Sequence, residues 1–153
     1  MTLADRIERT ILLPVPRERV WDAVTKPEQL ARWFGVVSGM DFRVGGAIQL
    51  SWENKPCPYP GTIEVIEPIQ HFAFRWPSYA IGHPEITFAI VPNTLVDITL
   101  EEQAEGTLLT LVESGFASQP QSVPAEELHH GNQEGWEECL NGLQAYLQSQ
   151  EVM

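Results

Sequence analysis

The chain opens with an alternating pattern. Ile7, Ile11 and Leu13 share one parity, with Arg9 among them, and β-branched Ile7, Thr10 and Ile11 favour extended backbone. This predicts a strand over Asp5–Leu13, closed by Pro14 and Pro16. Pro16 suits the first turn of a helix, where no N–H is needed. The spacing of Val20, Trp21 and Val24 then predicts a helix over Arg17–Thr25. Pro27 starts a second short helix with Leu30, Trp33 and Phe34 apolar, and Gly35 ends it.

The period then returns to two. Gly45-Gly46 marks a tight turn before Ala47–Glu53, where Ile48, Leu50 and Trp52 alternate with polar residues. Asn54–Gly61 reads as a Pro-rich loop. Thr62–Glu67 places Ile63 and Val65 on one side, and Gln70–Trp76 alternates Phe72, Phe74 and Trp76 with His71, Ala73 and Arg75. Pro77–Pro84 reads as a loop. Glu85–Val91 is apolar on both parities, as in a covered strand. Leu95–Glu102 and Thr107–Ser114 follow, joined at Glu105-Gly106, and such short turns imply antiparallel pairing.

Beyond Ser118–Pro124 the period changes again. Trp136, Cys139, Leu140, Leu143 and Leu147 fall on one face of a helix, opposite Glu134, Glu137, Glu138, Asn141, Gln144 and Gln148. Pro124, Glu126 and Glu127 mark one candidate start; Gly131 and Gly135 leave a later start near Asn132 open. The order is strand, two short helices, about six strands and one long helix. It predicts a single α+β domain over residues 1–153: a curved antiparallel sheet with helices on one face. The terminal helix is the element long enough to cover the concave side, and the gap between them is a candidate apolar cavity.

Composition narrows the partners. The net charge is −12, from 9 Lys+Arg against 21 Asp+Glu. Such a surface repels polyanions and anionic membranes, which argues against nucleic-acid binding and membrane insertion. Two cysteines, Cys57 and Cys139, are too few for a metal framework, and Cys139 on the apolar stripe reads as a small buried hydrophobe. The N-terminus has no apolar signal core and no segment is long and apolar enough to span a bilayer, so the expectation is a cytoplasmic protein. Oligomeric state is not readable, and a homodimer is compatible with everything above.

Several short pieces together resemble a known family. They are Val20-Trp21-Asp22-Ala23, Pro27-Glu28-Gln29-Leu30 with Trp33-Phe34, Val44-Gly45-Gly46, Gly61 with Glu64 and Pro68, and Phe74 with Trp76. The series continues through Gly106-Thr107 and Ser114-Gly115-Phe116 to Gly135-Trp136-Glu137 with Leu140. Their order and spacing resemble the family named for the activator of heat-shock-protein ATPase, within the START-related superfamily (SRPBCC) that includes polyketide cyclases. The resemblance implies the helix-grip fold, in which about seven antiparallel strands curl around a long C-terminal helix. It also implies binding of lipids, polyketides or other hydrophobic compounds, with cyclisation or hydrolysis in some members. The name-giving co-chaperones carry a further N-terminal domain. This chain opens directly on its first strand, which makes a chaperone-interaction role the lesser expectation.

The candidate ligand-binding residues are Trp33, Trp52, Trp76, Phe88, Glu113, Phe116, Trp136, Leu140 and Leu143. The bland alternative for each aromatic is core packing, but five Trp and six Phe exceed what a core of this size needs. Trp21, on the first helix, reads as structural. Glu113 shares parity with Leu109 and Leu111, so it enters the cavity if that side is concave, as a weak catalytic candidate. The default expectation is the opposite: a solvated carboxylate at the rim, or an inner face marked by Leu108 and Val112. His129 and His130, with Glu126 and Glu134, read as a solvated helix face and not a metal site. His71 falls on the outward parity, and Tyr59, Tyr79 and His83 stand in loops at the candidate mouth. Ser38-Gly39 and Ser114-Gly115 lack a nucleophile elbow, and Gly45-Gly46 lacks the helix and Lys of a phosphate loop. No cofactor or metal is called for. Small-ligand binding is the first expectation; a cyclase or hydrolase on the same scaffold, or a chaperone-interaction module, are the alternatives.

Overall fold

A computed structural model describes residues 6–51, 59–77, 94–116 and 125–151. Its described strands are β1 (Arg6–Leu13), β2 (Val36–Met40), β3 (Ala47–Ser51), β4 (Tyr59–Glu67), β5 (His71–Trp76), β6 (Thr94–Gln103) and β7 (Gly106–Ser114). The helices are α1 (Arg17–Thr25), α2 (Pro27–Trp33) and α3 (Ala125–Glu151). All seven strands join one curved antiparallel sheet in the order β1-β7-β6-β5-β4-β3-β2. From β2 to β7 each described strand pairs with the next described one along the chain. β1 pairs with β7, so consecutive β1 and β2 sit at opposite edges and α1 and α2 bridge them.

One face of the sheet is buried because the pleat keeps apolar side chains in phase across the strands. On β7 these are Leu109 and Leu111, on β6 Val96, Ile98 and Leu100, and on β5 Phe72, Phe74 and Trp76. Against them α3 turns Trp136, Leu140, Leu143 and Leu147, all buried. The other face carries polar pairs: Arg75 Nε on Glu64 at 2.6 Å, and His71 between Glu67 (3.0 Å) and Asp97 (2.6 Å). His71 therefore points outward, as its parity predicts.

Four local readings are corrected. Val36–Met40 is an edge strand that the pattern did not reveal. Tyr59, Pro60 and Gly61 belong to β4 and not to a loop, and Tyr59 is buried beside Leu50 rather than at a mouth. Gly61 is needed there: a Cβ would lie 2.6 Å from the Arg75 carbonyl and 2.8 Å from Ile48 Cγ2. Ile63 and Val65 do not share a face. The register shifts between them, so Ile63 pairs with Phe74 inside while Val65 pairs with Ala73, and Ile66 takes the next inward place. Finally, α3 runs unbroken from Ala125 through Gly131 and Gly135. Gly45-Gly46 is a turn, with Gly45 at φ 84°. The strand expected over Glu85–Val91 lies outside the described residues, as do Cys57, Tyr79 and His83.

Candidate functional site

The centre of the interior is a buried carboxylate. β7 aims Glu113 at the concave side with Leu109 and Leu111, and it is 0% exposed. This overturns the default expectation of a solvated rim group. Four donors from three other elements converge on it. Asn132 Nδ2 (2.9 Å) and Trp136 Nε1 (2.8 Å), both from α3, bond Oε1. Trp76 Nε1 from β5 (2.7 Å) and Thr94 Oγ1 from β6 (2.8 Å) bond Oε2. The arrangement follows from register: Val96 stands opposite Glu113 and Thr94 opposite Trp76, which brings the ends of three strands together. On α3, Asn132 precedes Trp136 by one turn and so shares its face.

Each carboxylate oxygen thus accepts two hydrogen bonds, about the full capacity of an ionised carboxylate. Burial nevertheless pushes the Glu113 carboxyl above its ordinary value of 4.5, and the bonds from Trp136, Thr94, Trp76 and Asn132 oppose that rise. A protonated Glu113 keeps the network, because its O–H can donate to Thr94 Oγ1 while both indoles still donate to it.

Around this hub the rings close on one another. Phe34 stacks on Trp136 with centroids 5.4 Å apart and planes 8° apart. It also contacts Trp76 at 5.4 Å and Phe74 at 6.2 Å, and Trp76 meets Trp136 at 5.7 Å. Both indoles have their N–H edges on Glu113; Phe34 covers one face of Trp136, while Trp76 meets Phe34 tilted and Phe74 edge-on.

The other candidates separate from this centre. Trp33 is buried and borders the centre through Phe34, 5.7 Å away, but its Nε1 donates to the Ala23 carbonyl at 2.8 Å, which pins α2 to α1. Phe116 is buried and meets the His129 ring edge-on at 5.2 Å. Leu140 and Leu143 lie on the buried stripe of α3. Trp52 and Phe88 lie outside the described residues. Phe34, Phe74, Thr94 and Asn132 belong to the centre but were not among the candidates. Phe74 shares Trp76's parity and Asn132 its helix face with Trp136, so both carried a signal; Thr94 and Phe34 carried none that points to Glu113.

Elsewhere, His129 Nε2 sits 3.0 Å from the Arg6 carbonyl. Among the described residues no three His, Cys, Asp or Glu side chains come together as a metal would require. Among the described residues, two open grooves flank the fold. One, of about 320 Å³, is lined by Trp21, Asp22, Thr25, Lys26, Pro27, Met40 and Phe42. The other, of about 290 Å³, lies between β1 and α3 beside Arg9, Ile11, Glu137 and Leu140. Trp21 also packs edge-on against Phe72 at 6.4 Å, in keeping with a structural role. No described helix is long and apolar enough to cross a membrane.

A curved antiparallel sheet that grips one long C-terminal helix defines a helix-grip α+β protein of the START-related superfamily. Within that class the chain belongs to the family described as Activator of Hsp90 ATPase homolog 1-like protein, whose model matches residues 14–148. Among similar solved structures, MLL2253 from Mesorhizobium loti is 21% identical with a TM-score of 0.74, over 94% of this chain and 97% of that one. SSP2350 from Staphylococcus saprophyticus is 28% identical with a TM-score of 0.67, over 94% and 91%. DynU16, a putative protein in the dynemicin biosynthetic locus, is 25% identical with a TM-score of 0.75; the match covers 95% of this chain and 48% of DynU16. No curated protein matches the chain.

Proposed function

We propose that this protein is a cytoplasmic binder of a small, uncharged, planar hydrophobic or aromatic compound, which it holds between the sheet and α3. The observation that carries this is the Trp76–Trp136 pair. Glu113 takes up both indole N–H groups, so a ligand meets only ring faces and has no polar group to satisfy. Binding would draw on apolar area removed from water, at roughly 25 cal/mol per Å² less the cost of ordering. The chain's net charge of −12 disfavours anionic ligands. The family's fold supports a ligand-binding role, and the place of DynU16 in the dynemicin biosynthetic locus fits a protein concerned with small molecules.

Binding is favoured over turnover because all four lone-pair positions of Glu113 are occupied. It has no free acceptor with which to take a substrate proton. The test is titration with the neutral fluorophore N-phenyl-1-naphthylamine and a panel of neutral polycyclic phenols, followed by probe emission and melting temperature. The expected result is enhanced emission and a rise in melting temperature, since a ligand at a hundred times its Kd stabilises by about 2.7 kcal/mol. An unchanged spectrum and melting temperature across the panel would refute the proposal.

A further inference from the structure

The rings around Glu113 pack against one another, with Phe34 stacked flat on Trp136, so a flat ligand can reach that face of Trp136 only if a ring gives way. Trp76 and Trp136 are each held by an N–H on Glu113 and are 7% and 3% exposed. Phe74, 3% exposed, is fixed within β5 between Phe72 and Trp76. Phe34 differs from all three. It is half-buried, its ring has no polar group to anchor, and it stands at the C-cap of α2, where the helix has ended.

Space is present on the same side of α3. Two positions seven apart on a helix share a flank. At Gly142 that flank is covered by α2: a Cβ there would meet Trp33 Cβ at 4.0 Å, and the Arg32 guanidinium lies 5.3 Å from the Tyr146 ring. At Gly135, two turns earlier, α2 has run out and a Cβ would meet nothing within 4 Å. Phe34, the residue that follows α2, lies against Trp136 beside this opening. A glycine in mid-helix is destabilising relative to alanine. Here no neighbouring atom demands it.

We infer that Phe34 holds the place of the ligand's own ring: an aromatic ligand enters past Gly135, displaces the Phe34 side chain and stacks on Trp136 in its stead. This rests on the binding proposal above and specifies how the site is filled. It also defines the ligand class as compounds that present at least one flat, unsubstituted ring face.

The experiment is titration of wild type, Phe34→Ala and Gly135→Leu with N-phenyl-1-naphthylamine, with melting temperatures recorded in parallel. Phe34→Ala should bind about two- to tenfold more tightly, because the probe no longer competes with a stacked ring. Gly135→Leu should bind about tenfold or more weakly while remaining folded, because the new side chain fills the entrance. If Phe34→Ala does not fold, Phe34→Leu, which keeps apolar bulk without a flat face, should also bind more tightly. Weaker or equal binding by the residue 34 variant, or wild-type affinity in Gly135→Leu, overturns the ring exchange and leaves the binding proposal standing. No binding by wild type or any variant removes both.

Discussion

Replacing Glu113 tests the hub by counting the donors that each variant strands. In Glu113→Gln the amide oxygen can still accept from Trp136 and Asn132, but the NH2 group faces Trp76 and Thr94. Thr94 can rotate, and the Trp76 carbonyl lies 3.5 Å from its hydroxyl. The Trp76 indole cannot rotate, so one buried N–H loses its acceptor, which costs about 1–3 kcal/mol. Glu113→Leu strands Trp136 as well, while half-buried Asn132 can reach water, and the loss rises to about 2–6 kcal/mol. Both losses are partly offset where Glu113 is ionised, because either variant then also removes a buried charge.

That offset has a defined direction with pH. The carboxyl of folded Glu113 sits above its ordinary value of 4.5, so the folded state binds more protons than the unfolded state between the two values. The wild type's advantage is complete below 4.5 and shrinks as pH rises through the raised folded value. Urea unfolding followed by far-UV circular dichroism, at about pH 5.5 and again at pH 8, should give wild type > Gln > Leu, with both gaps narrower at pH 8. A Gln variant as stable as wild type, equal losses for Gln and Leu, or gaps that widen with pH would refute the reasoning.

Other positions give independent checks. Gly106 adopts φ 143°, and a Cβ there would sit 2.1 Å from the Leu13 carbonyl oxygen, so Gly106→Ala should lower unfolding free energy by more than about 2 kcal/mol. By contrast, Gly135→Ala points into open space and should raise stability by up to about 1 kcal/mol in a thermal melt. Burial and the neighbouring Glu138 push the Cys139 thiol up to about 11 from 9.0, so in a Cys57→Ser background iodoacetamide at pH 8 should label it about a hundredfold more slowly than an ordinary thiol. The anionic probe 8-anilino-1-naphthalenesulfonate shares the ring system of N-phenyl-1-naphthylamine and should bind more weakly, by a margin that shrinks at high salt; equal affinity would contradict the role given to the net charge of −12.

Much of this fold is legible in periodicity because burial on one sheet face and one helix stripe leaves a direct trace in sequence. Phe72, Phe74 and Trp76, or Trp136, Leu140 and Leu143, show it plainly. What is lost is what depends on distant chain. β2 is a five-residue edge strand containing Gly39, with too few alternating positions to register. Pro60 and Gly61 carry turn chemistry, yet they sit in a strand because Ile48 and Arg75 approach too closely for any side chain at residue 61. The bulge after Ile63 reverses parity without a local marker. Glu113 shows the limit most clearly. Parity gives its companions, Leu109 and Leu111, but only the donors on β5, β6 and α3 make the buried side tolerable for a carboxylate. The stack of Phe34 on Trp136 is equally a product of tertiary contact.

The most direct test of ligand binding against Trp136 is a titration of 15N-labelled protein with N-phenyl-1-naphthylamine, following the indole N–H resonances assigned by single Trp→Phe variants. The predicted result is that Trp76 and Trp136 shift together and saturably, and by more than Trp33, which touches Phe34 at 5.7 Å but keeps its N–H on the Ala23 carbonyl. Movement of Trp21 alone would put the probe in the outer groove between α1 and the β2–β3 connection, and would contradict a site between the sheet and α3.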